Sequence, residues 1–213
     1  MNQRNKIYAI VEGHGEANKG KRGQQSAIVV LVGRMLHELG CWHLFPQGKH
    51  SAYRMSYQEF FTGSQFEQSI RSHKSYPDCA AVLVLLDMDD DCPKEKSAEL
   101  VQRIHQMERL PFSVVIVCAK CEYESWFLAS IESIHEGAMP YDGEPEERRG
   151  AKEWLRKQFG YKPTQDQSTY TRQMDFTLVY ERSRSFQRLY HAFEEIIGAN
   201  DAEDVVITPM RNG

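Results

Sequence analysis

Apolar positions in this chain fall into short runs that alternate with segments of helical spacing. Two runs, 80–86 and 114–118, are apolar throughout, and 6–11 is rich in β-branched and aromatic residues. A strand that is apolar on both faces is typical of a parallel sheet with helices on both sides. Helical spacing of apolar residues recurs at 26–39, 64–73 and 94–109. This order predicts an α/β fold with a mostly parallel sheet, flanked by helices through right-handed crossovers.

Less regular segments complete the prediction. Residues 42–45 could form a second short strand, and 48–62 has no regular pattern. After a helix that leads into Ile134, the charged and turn-rich segment 141–150 is predicted to be a solvated connection. Helices are predicted at 151–159 and 183–197. We therefore expect an α/β core over residues 1–140 and a C-terminal helical extension over 141–213, packed together as one structural unit.

Acidic residues follow each of the three predicted strands. The first strand is followed by Glu12 and, four residues later, Glu16; the second by Asp87, Asp89 and Asp91; the third by Glu122 and Glu124. The carboxyl ends of parallel strands lie at one edge of the sheet, where open α/β folds bind ligands. We therefore expect these distant carboxylates to converge.

Converging carboxylates favour a divalent cation, because like charges held together are unfavourable without one. Residues two apart in extended backbone point to the same side, so Asp87 and Asp89 could bind one ion, as could Glu122 and Glu124. Oxygen-only ligation suits Mg²⁺ or Mn²⁺. An EF-hand starting at Asp87 is excluded, since Cys92 and Ala98 stand where that loop needs Gly and Glu.

The motifs Val11-Glu12-Gly13-His14-Gly15-Glu16, Asp87-x-Asp89, Glu122-Tyr123-Glu124-Ser125-Trp126-Phe127-Leu128 and Arg182-Ser183-Arg184-Ser185-Phe186-x-x-Leu189 together resemble a bacterial TOPRIM-like family of unknown function. TOPRIM is the metal-binding fold of topoisomerases, primases and overcoming-lysogenization-defect nucleases. The resemblance covers roughly residues 6–197. It implies that Glu12, Asp87 and Asp89 bind the metal, with Asp91 as a further ligand. It also implies Mg²⁺-dependent cutting of nucleic acid, in phage defence or on mobile elements beside an ATPase.

The remaining candidate residues are assigned by chemistry. Glu122 and Glu124 lie outside the shared TOPRIM core and are expected as additional ligands. His14 and Glu16 are candidates for the general acid or base, since histidine titrates near neutral pH. Phosphate contacts are expected from two basic groups, Lys19, Lys21 and Arg22 after the first strand and Arg182, Arg184 and Arg188 near the last helix.

The second basic group has a structural alternative. Its arginines could instead form a solvated helix face or pair with Glu181, Glu194 or Glu195. Ser183 and Ser185 are suited to a helix N-terminus, where free backbone N–H groups also bind anions.

Composition narrows the protein's setting. The formal net charge of −4 excludes a uniformly basic surface but not a local basic patch. The five scattered cysteines favour reduced thiols. No apolar run approaches the roughly 20 residues of a membrane span, so we predict a soluble cytoplasmic protein.

Two other functions stay open at this point. The chain could be a non-catalytic nucleic-acid-binding or regulatory subunit of an ATPase-containing complex. It has no GxxxxGK[ST] loop, so ATP hydrolysis would need another protein. Alternatively, Asp87 could be the nucleophile of an aspartyl phosphatase with Asp89 as the acid.

Overall fold

The computed structural model describes residues 4–13, 25–45 and 51–209. Within them, five strands form one sheet in the order β2-β1-β3-β4-β5, and every neighbouring pair is parallel. The predicted α/β class with a parallel sheet is confirmed. The strands are β1 (Lys6–Val11), β2 (Ser51–Arg54), β3 (Cys79–Asp87), β4 (Ser113–Ala119) and β5 (Ile207–Thr208).

The helices of the described residues are α1 (Ala27–Glu38), α2 (Tyr57–Phe61), α3 (Gln65–Ser72), α4 (Pro93–His105), α5 (Ser125–Ala129), α6 (Ile131–Ile134), α7 (Ala151–Phe159), α8 (Pro163–Gln173), α9 (Phe176–Arg182) and α10 (Arg184–Asp201), with 3₁₀ turns at His73–Ser75 and Pro145–Glu147. They cover both faces of the sheet. Helices α2, α3 and α4 pack on one face, and α1 with α5–α10 on the other. The result is a three-layer arrangement with two apolar cores.

Strand β3 shows why the sheet is buried on both sides. Its side chains alternate, so Leu83 and Leu85 join the core beneath α1 and α10, while Val84 and Leu86 join the core beneath α4. All four are at most 2% exposed. Burying each such side chain contributes roughly 1.5–3 kcal/mol, which fixes this strand at the centre of the sheet.

Two local predictions were wrong. Residues 42–44 form a turn, and the second strand lies at Ser51–Arg54, inside the segment that has no regular pattern. This strand pairs only with β1 among the described residues. A four-residue edge strand carries too little periodicity to be recognised locally, and its pairing with β1 decides it. The helix after β4 is also interrupted, at Ser130.

The C-terminal segment is more than a helical extension. It supplies α7–α10 on one face of the sheet, and its last part adds β5 to the edge of β4. The polar stretch before α10 forms two helices, α8 with Pro163 in its first turn and α9 with Asp175 as an N-cap that accepts two backbone N–H bonds. In the described part of the chain, none of the helices combines the length and apolarity needed to cross a membrane.

Candidate functional site

The strand order places a ligand site at the carboxyl ends of β1 and β3. The chain passes from β1 to β2 on one side of β1 and then to β3 on its other side. The direction in which successive strands are added to the sheet therefore reverses between β1 and β3. Open α/β sheets bind ligands at such a switch point. A cavity of about 340 Å³ lies at this edge, and Glu12, Asp87, Asp89 and Glu124 line it. The structure therefore brings four of the predicted carboxylates together.

Glu12 is the most perturbed of these carboxylates. Its pKa is raised to about 7, first by burial and then by the negative charges of Asp87 and Asp89, although the backbone of Asp87 and the Lys152 ammonium act in the opposite direction. Its Oε2 is buried and has no hydrogen-bond partner among the described residues. A buried carboxylate oxygen with no protein donor is unfavourable unless it binds a cation or a proton.

Asp87 ends β3 and is held from two directions. The backbone N–H of Tyr123 donates to Oδ1 at 2.8 Å, and the Nζ of Lys152 lies 3.2 Å from Oδ2. Its side chain is 13% exposed. The loop after β4 therefore fixes the rotamer of the acid that ends β3, because the two strands are neighbours.

Glu124 lies deeper than the sequence suggests, and its side chain is fully buried. Tyr161 donates a hydrogen bond to Oε1 at 2.9 Å, Gln167 contacts the same oxygen at 3.4 Å, and Lys152 Nζ lies 3.5 Å from Oε2. Burial of a charged carboxylate is tolerated only with such partners. Glu124 therefore belongs to the site as the second carboxylate, besides Asp87, that Lys152 contacts.

The structure turns two other predicted ligands away from the cavity. Glu122 accepts the backbone N–H of Lys152 at 3.0 Å, so it caps the start of α7, and burial raises its pKa. The carboxylate of Asp91 accepts a hydrogen bond from the hydroxyl of Tyr57. Neither Glu122 nor Asp91 lines the cavity. The assumption of an extended backbone failed because the chain turns immediately after each strand.

Backbone strain is concentrated where β3 and β4 end. Asp89 has a φ of 41° and Cys121 a φ of 61°, both in the left-handed region. The N–H of Asp89 donates to the carbonyl oxygen of Cys121 at 2.9 Å, which links the two turns. Non-glycine residues persist in this region only where the surroundings enforce it, commonly at functional sites. Asp89 itself is exposed at the cavity, and the adjacent Asp90 pairs with Arg149.

The donor set fits Mg²⁺ or Mn²⁺ in chemical type. Glu12, Asp87 and Asp89 supply carboxylate oxygens around one cavity, and Oε2 of Glu12 has no donor in the part of the chain that the structure describes. In the described residues, however, no three acidic, histidine or cysteine side chains stand close enough together to hold a metal as placed. The Lys152 ammonium lies within 3.5 Å of both Asp87 and Glu124 and brings a positive charge into this cluster.

Comparison with known families agrees with a domain spanning most of the chain. A family model described as a domain of unknown function, DUF4276, matches residues 21–194. The chain belongs to this family. Comparison with curated proteins and with solved structures finds no match.

The basic residues predicted to contact nucleic acid divide into three groups. Arg182 is used internally, because its guanidinium donates to the Ala129 carbonyl at 2.9 Å and pairs with Glu132 at 2.6 Å. Its guanidinium is therefore held by contacts within the protein, and its contact with nucleic acid stays a prediction. Arg184 and Arg188 are exposed near the start of α10 and form no ion pair within the described ranges. The residues Lys19, Lys21 and Arg22, like His14 and Glu16, lie outside the described residues.

The N-terminus of α10 already binds an anion of the protein itself. Glu146 accepts hydrogen bonds from the Ser183 hydroxyl at 2.8 Å, the Arg184 N–H at 3.0 Å and the Ser185 N–H at 2.9 Å. The prediction that this end offers free N–H groups to an outside anion is wrong for that reason. The segment around Glu146, predicted to be solvated, is instead a buried cap.

Two site residues were missed by the sequence analysis. Arg54, at the end of β2, is exposed, lines the cavity and donates from Nε to the Glu12 carbonyl at 3.1 Å. Lys152 lies in the second position of α7, about 65 residues beyond Asp87. No motif marks either residue, since each reaches the cavity through pairing or packing of a distant element.

Proposed function

We propose that this protein is a Mg²⁺- or Mn²⁺-dependent nuclease that hydrolyses phosphodiester bonds of nucleic acid. The observation that carries the proposal is Glu12, whose pKa is raised to about 7 beside Asp87 and Asp89 at the switch point of the sheet. Strongly perturbed carboxylates in a cleft mark functional sites. The TOPRIM resemblance of the same three residues supports this assignment.

Glu12, Asp87 and Asp89 would hold the cation. A bound divalent ion stabilises the charge that develops on phosphate oxygens and lowers the pKa of a water molecule toward neutrality. Asp87 is oriented for this role by the Tyr123 N–H. Tyr161 in turn orients Glu124 at the back of the cavity.

The chain also offers groups for the nucleic-acid backbone. Arg54 stands at the cavity, where a guanidinium can bind a phosphate near the carboxylates. Arg184 and Arg188 are one helical turn apart on α10 and present two further positive charges. His14 and Glu16 lie two and four residues after Glu12 in the sequence and remain the candidates for proton transfer.

The structure favours metal-dependent hydrolysis over an aspartyl phosphatase. A nucleophilic aspartate must present an oxygen in line with phosphorus. Asp87 is 13% exposed, and its two oxygens accept from Tyr123 and Lys152. This environment suits an immobile ligand better than an attacking group.

The setting we infer is the cytoplasm, with a partner ATPase and a role in phage defence. All five cysteines are free thiols. Burial raises the pKa of Cys118 to about 12, which keeps this thiol protonated. The partner ATPase and the role in phage defence are proposed from the TOPRIM resemblance, and the assay with an added ATPase described below tests the partner.

Two adjacent aspartates offer a matched test of activity. Asp89 lines the cavity, whereas Asp90 pairs with Arg149 and does not. We expect Asp89→Asn to lower Mn²⁺-dependent cleavage of single-stranded DNA, duplex DNA or RNA by roughly 100-fold or more, as for loss of a group that stabilises transition-state charge. Asp90→Asn should retain activity within a few-fold.

The assay also separates the competing functions. Cleavage by the purified wild type that needs Mn²⁺ and Asp89 supports the proposal. Cleavage only after addition of an ATPase encoded by a neighbouring gene supports a conditional effector. Nucleic-acid binding without cleavage in either setting would support the non-catalytic subunit instead.

A further inference from the structure

Lys152 places a positive charge inside the cluster of carboxylates. Its Nζ lies 3.2 Å from Asp87 Oδ2 and 3.5 Å from Glu124 Oε2, and its side chain is 31% exposed. Asp87 is one of the residues that would hold the metal in the proposed function. The singly charged ammonium of Lys152 therefore lies beside Asp87 Oδ2, an oxygen that a divalent cation would use as a ligand.

The backbone of Lys152 is fixed independently of its ammonium group. Helix α7 begins after Gly150, which has a φ of 69°, and the Lys152 N–H donates to Glu122 Oε2 at 3.0 Å. Just before it, the segment is joined to the strand ends by the ion pairs Lys120–Glu147 and Arg149–Asp90. A change in the position of the ammonium thus requires only rotation about the side-chain bonds of Lys152.

Lys152 and a metal ion would compete for the same oxygen of Asp87, because the ammonium already lies 3.2 Å from Oδ2. An ammonium and a divalent cation on the same carboxylate would stand a few ångströms apart, and their repulsion is strong in a partly buried site. Without either cation, Asp87 and the fully buried Glu124 would lose the positive charge that both contact. A cation is therefore expected beside Asp87 Oδ2 in both states, either the ammonium or the metal ion.

We propose that Lys152 is an internal counter-ion that blocks the divalent-cation site and leaves Asp87 when the metal binds. This inference rests on the proposed function, because it concerns the same carboxylates. Metal affinity is then set by exchange of one cation for another, and in the metal-free protein Lys152 keeps a positive charge beside Asp87 and Glu124. The site is closed to weakly bound cations until the ammonium moves.

A calorimetric titration with MnCl₂ tests the exchange, using protein freed of metal with EDTA. Lys152→Gln should bind Mn²⁺ at least about tenfold more tightly than the wild type, since a like charge near the ion is removed. Lys157→Gln is the matched control, because Lys157 is exposed on the same helix. Its affinity should equal that of the wild type.

Two further measurements keep the test independent of folding and of catalysis. In EDTA, Lys152→Gln should have a lower melting temperature than Lys157→Gln, and Mn²⁺ should raise it by more than it raises that of the wild type. In the unmutated protein, ¹⁵N spectra of lysine side chains should show the Lys152 ammonium signal shift or vanish on addition of Mg²⁺.

The outcomes distinguish this inference from the proposed function. Tighter Mn²⁺ binding by Lys152→Gln, with a lysine signal that responds to Mg²⁺, supports the exchange. If a folded Lys152→Gln protein binds Mn²⁺ equally or more weakly than a wild type that does bind, the exchange is wrong and the metal site stands. If neither protein binds Mn²⁺ at millimolar concentration, both ideas are overturned.

Discussion

Replacing Glu12 by Gln should stabilise the metal-free protein, and the gain should grow with pH. The pKa of Glu12 is raised from 4.5 to about 7 in the folded chain. The folded state therefore binds this proton more tightly than the unfolded state does. Stability must fall as pH rises from about 4.5 to about 7, because the carboxylate ionises in a site that disfavours its charge.

The size of the effect follows from the same pKa. A change from 4.5 to about 7 corresponds to about 3 kcal/mol between the protonated and charged forms. Glu12 is only partly buried, and solvent screening reduces this to about 1–2 kcal/mol of destabilisation above pH 7. Glutamine keeps the shape without the charge and avoids that loss. Functional carboxylates commonly reduce stability in this way.

Urea denaturation in EDTA at pH 5, 6, 7 and 8 measures the effect. Glu12→Gln should exceed the wild type in free energy of unfolding by about 1–2 kcal/mol at pH 8 and by little at pH 5. Glu136→Gln, at an exposed position, is the control and should change stability by no more than about 0.5 kcal/mol at any pH. A gain for Glu12→Gln that is absent, or that is independent of pH, would refute the reasoning.

Three further predictions follow from the site and its support. At a Mn²⁺ concentration of 100 times Kd, the melting temperature of the wild type should rise by an amount equivalent to about 2.7 kcal/mol. In a thermal-shift assay, Asp89→Asn should abolish most of that increase. An undiminished increase would show that Asp89 does not bind the metal. Glu146→Ala should lower the free energy of unfolding by about 2–4 kcal/mol in urea, because four donors at the buried N-terminus of α10 lose their acceptor. A loss below about 0.5 kcal/mol would show that water replaces the carboxylate. The double variant Arg184→Ala/Arg188→Ala should weaken nucleic-acid binding in filter-binding assays and lower its salt dependence, with an unchanged melting temperature. Arg182→Ala should instead lower the melting temperature. Loss of binding only in Arg182→Ala, with loss of stability only in the double variant, would contradict the assignment.

The order of strands and helices could be predicted because it depends on local pattern. Runs such as 80–86 and 114–118 are apolar at every position, as is typical of strands that lie between two layers of helices. The weak elements could not be predicted, since β2 and β5 have four and two residues and exist through their neighbours. Edge strands are decided by their pairing partners, which here lie far away in sequence but next to them in the sheet.

The candidate site divides in the same way. The sequence by itself determined that Glu12, Asp87 and Asp89 meet, because parallel strands end at one edge of the sheet. Only the tertiary structure decided that Glu122 caps a helix, that Arg182 pairs internally and that Lys152 enters the acidic cluster. The carboxylates converge because the strands are parallel, and the apolar runs along the chain indicate those strands. The direction of a single side chain depends on turns and on packing between distant segments, and no local pattern encodes those.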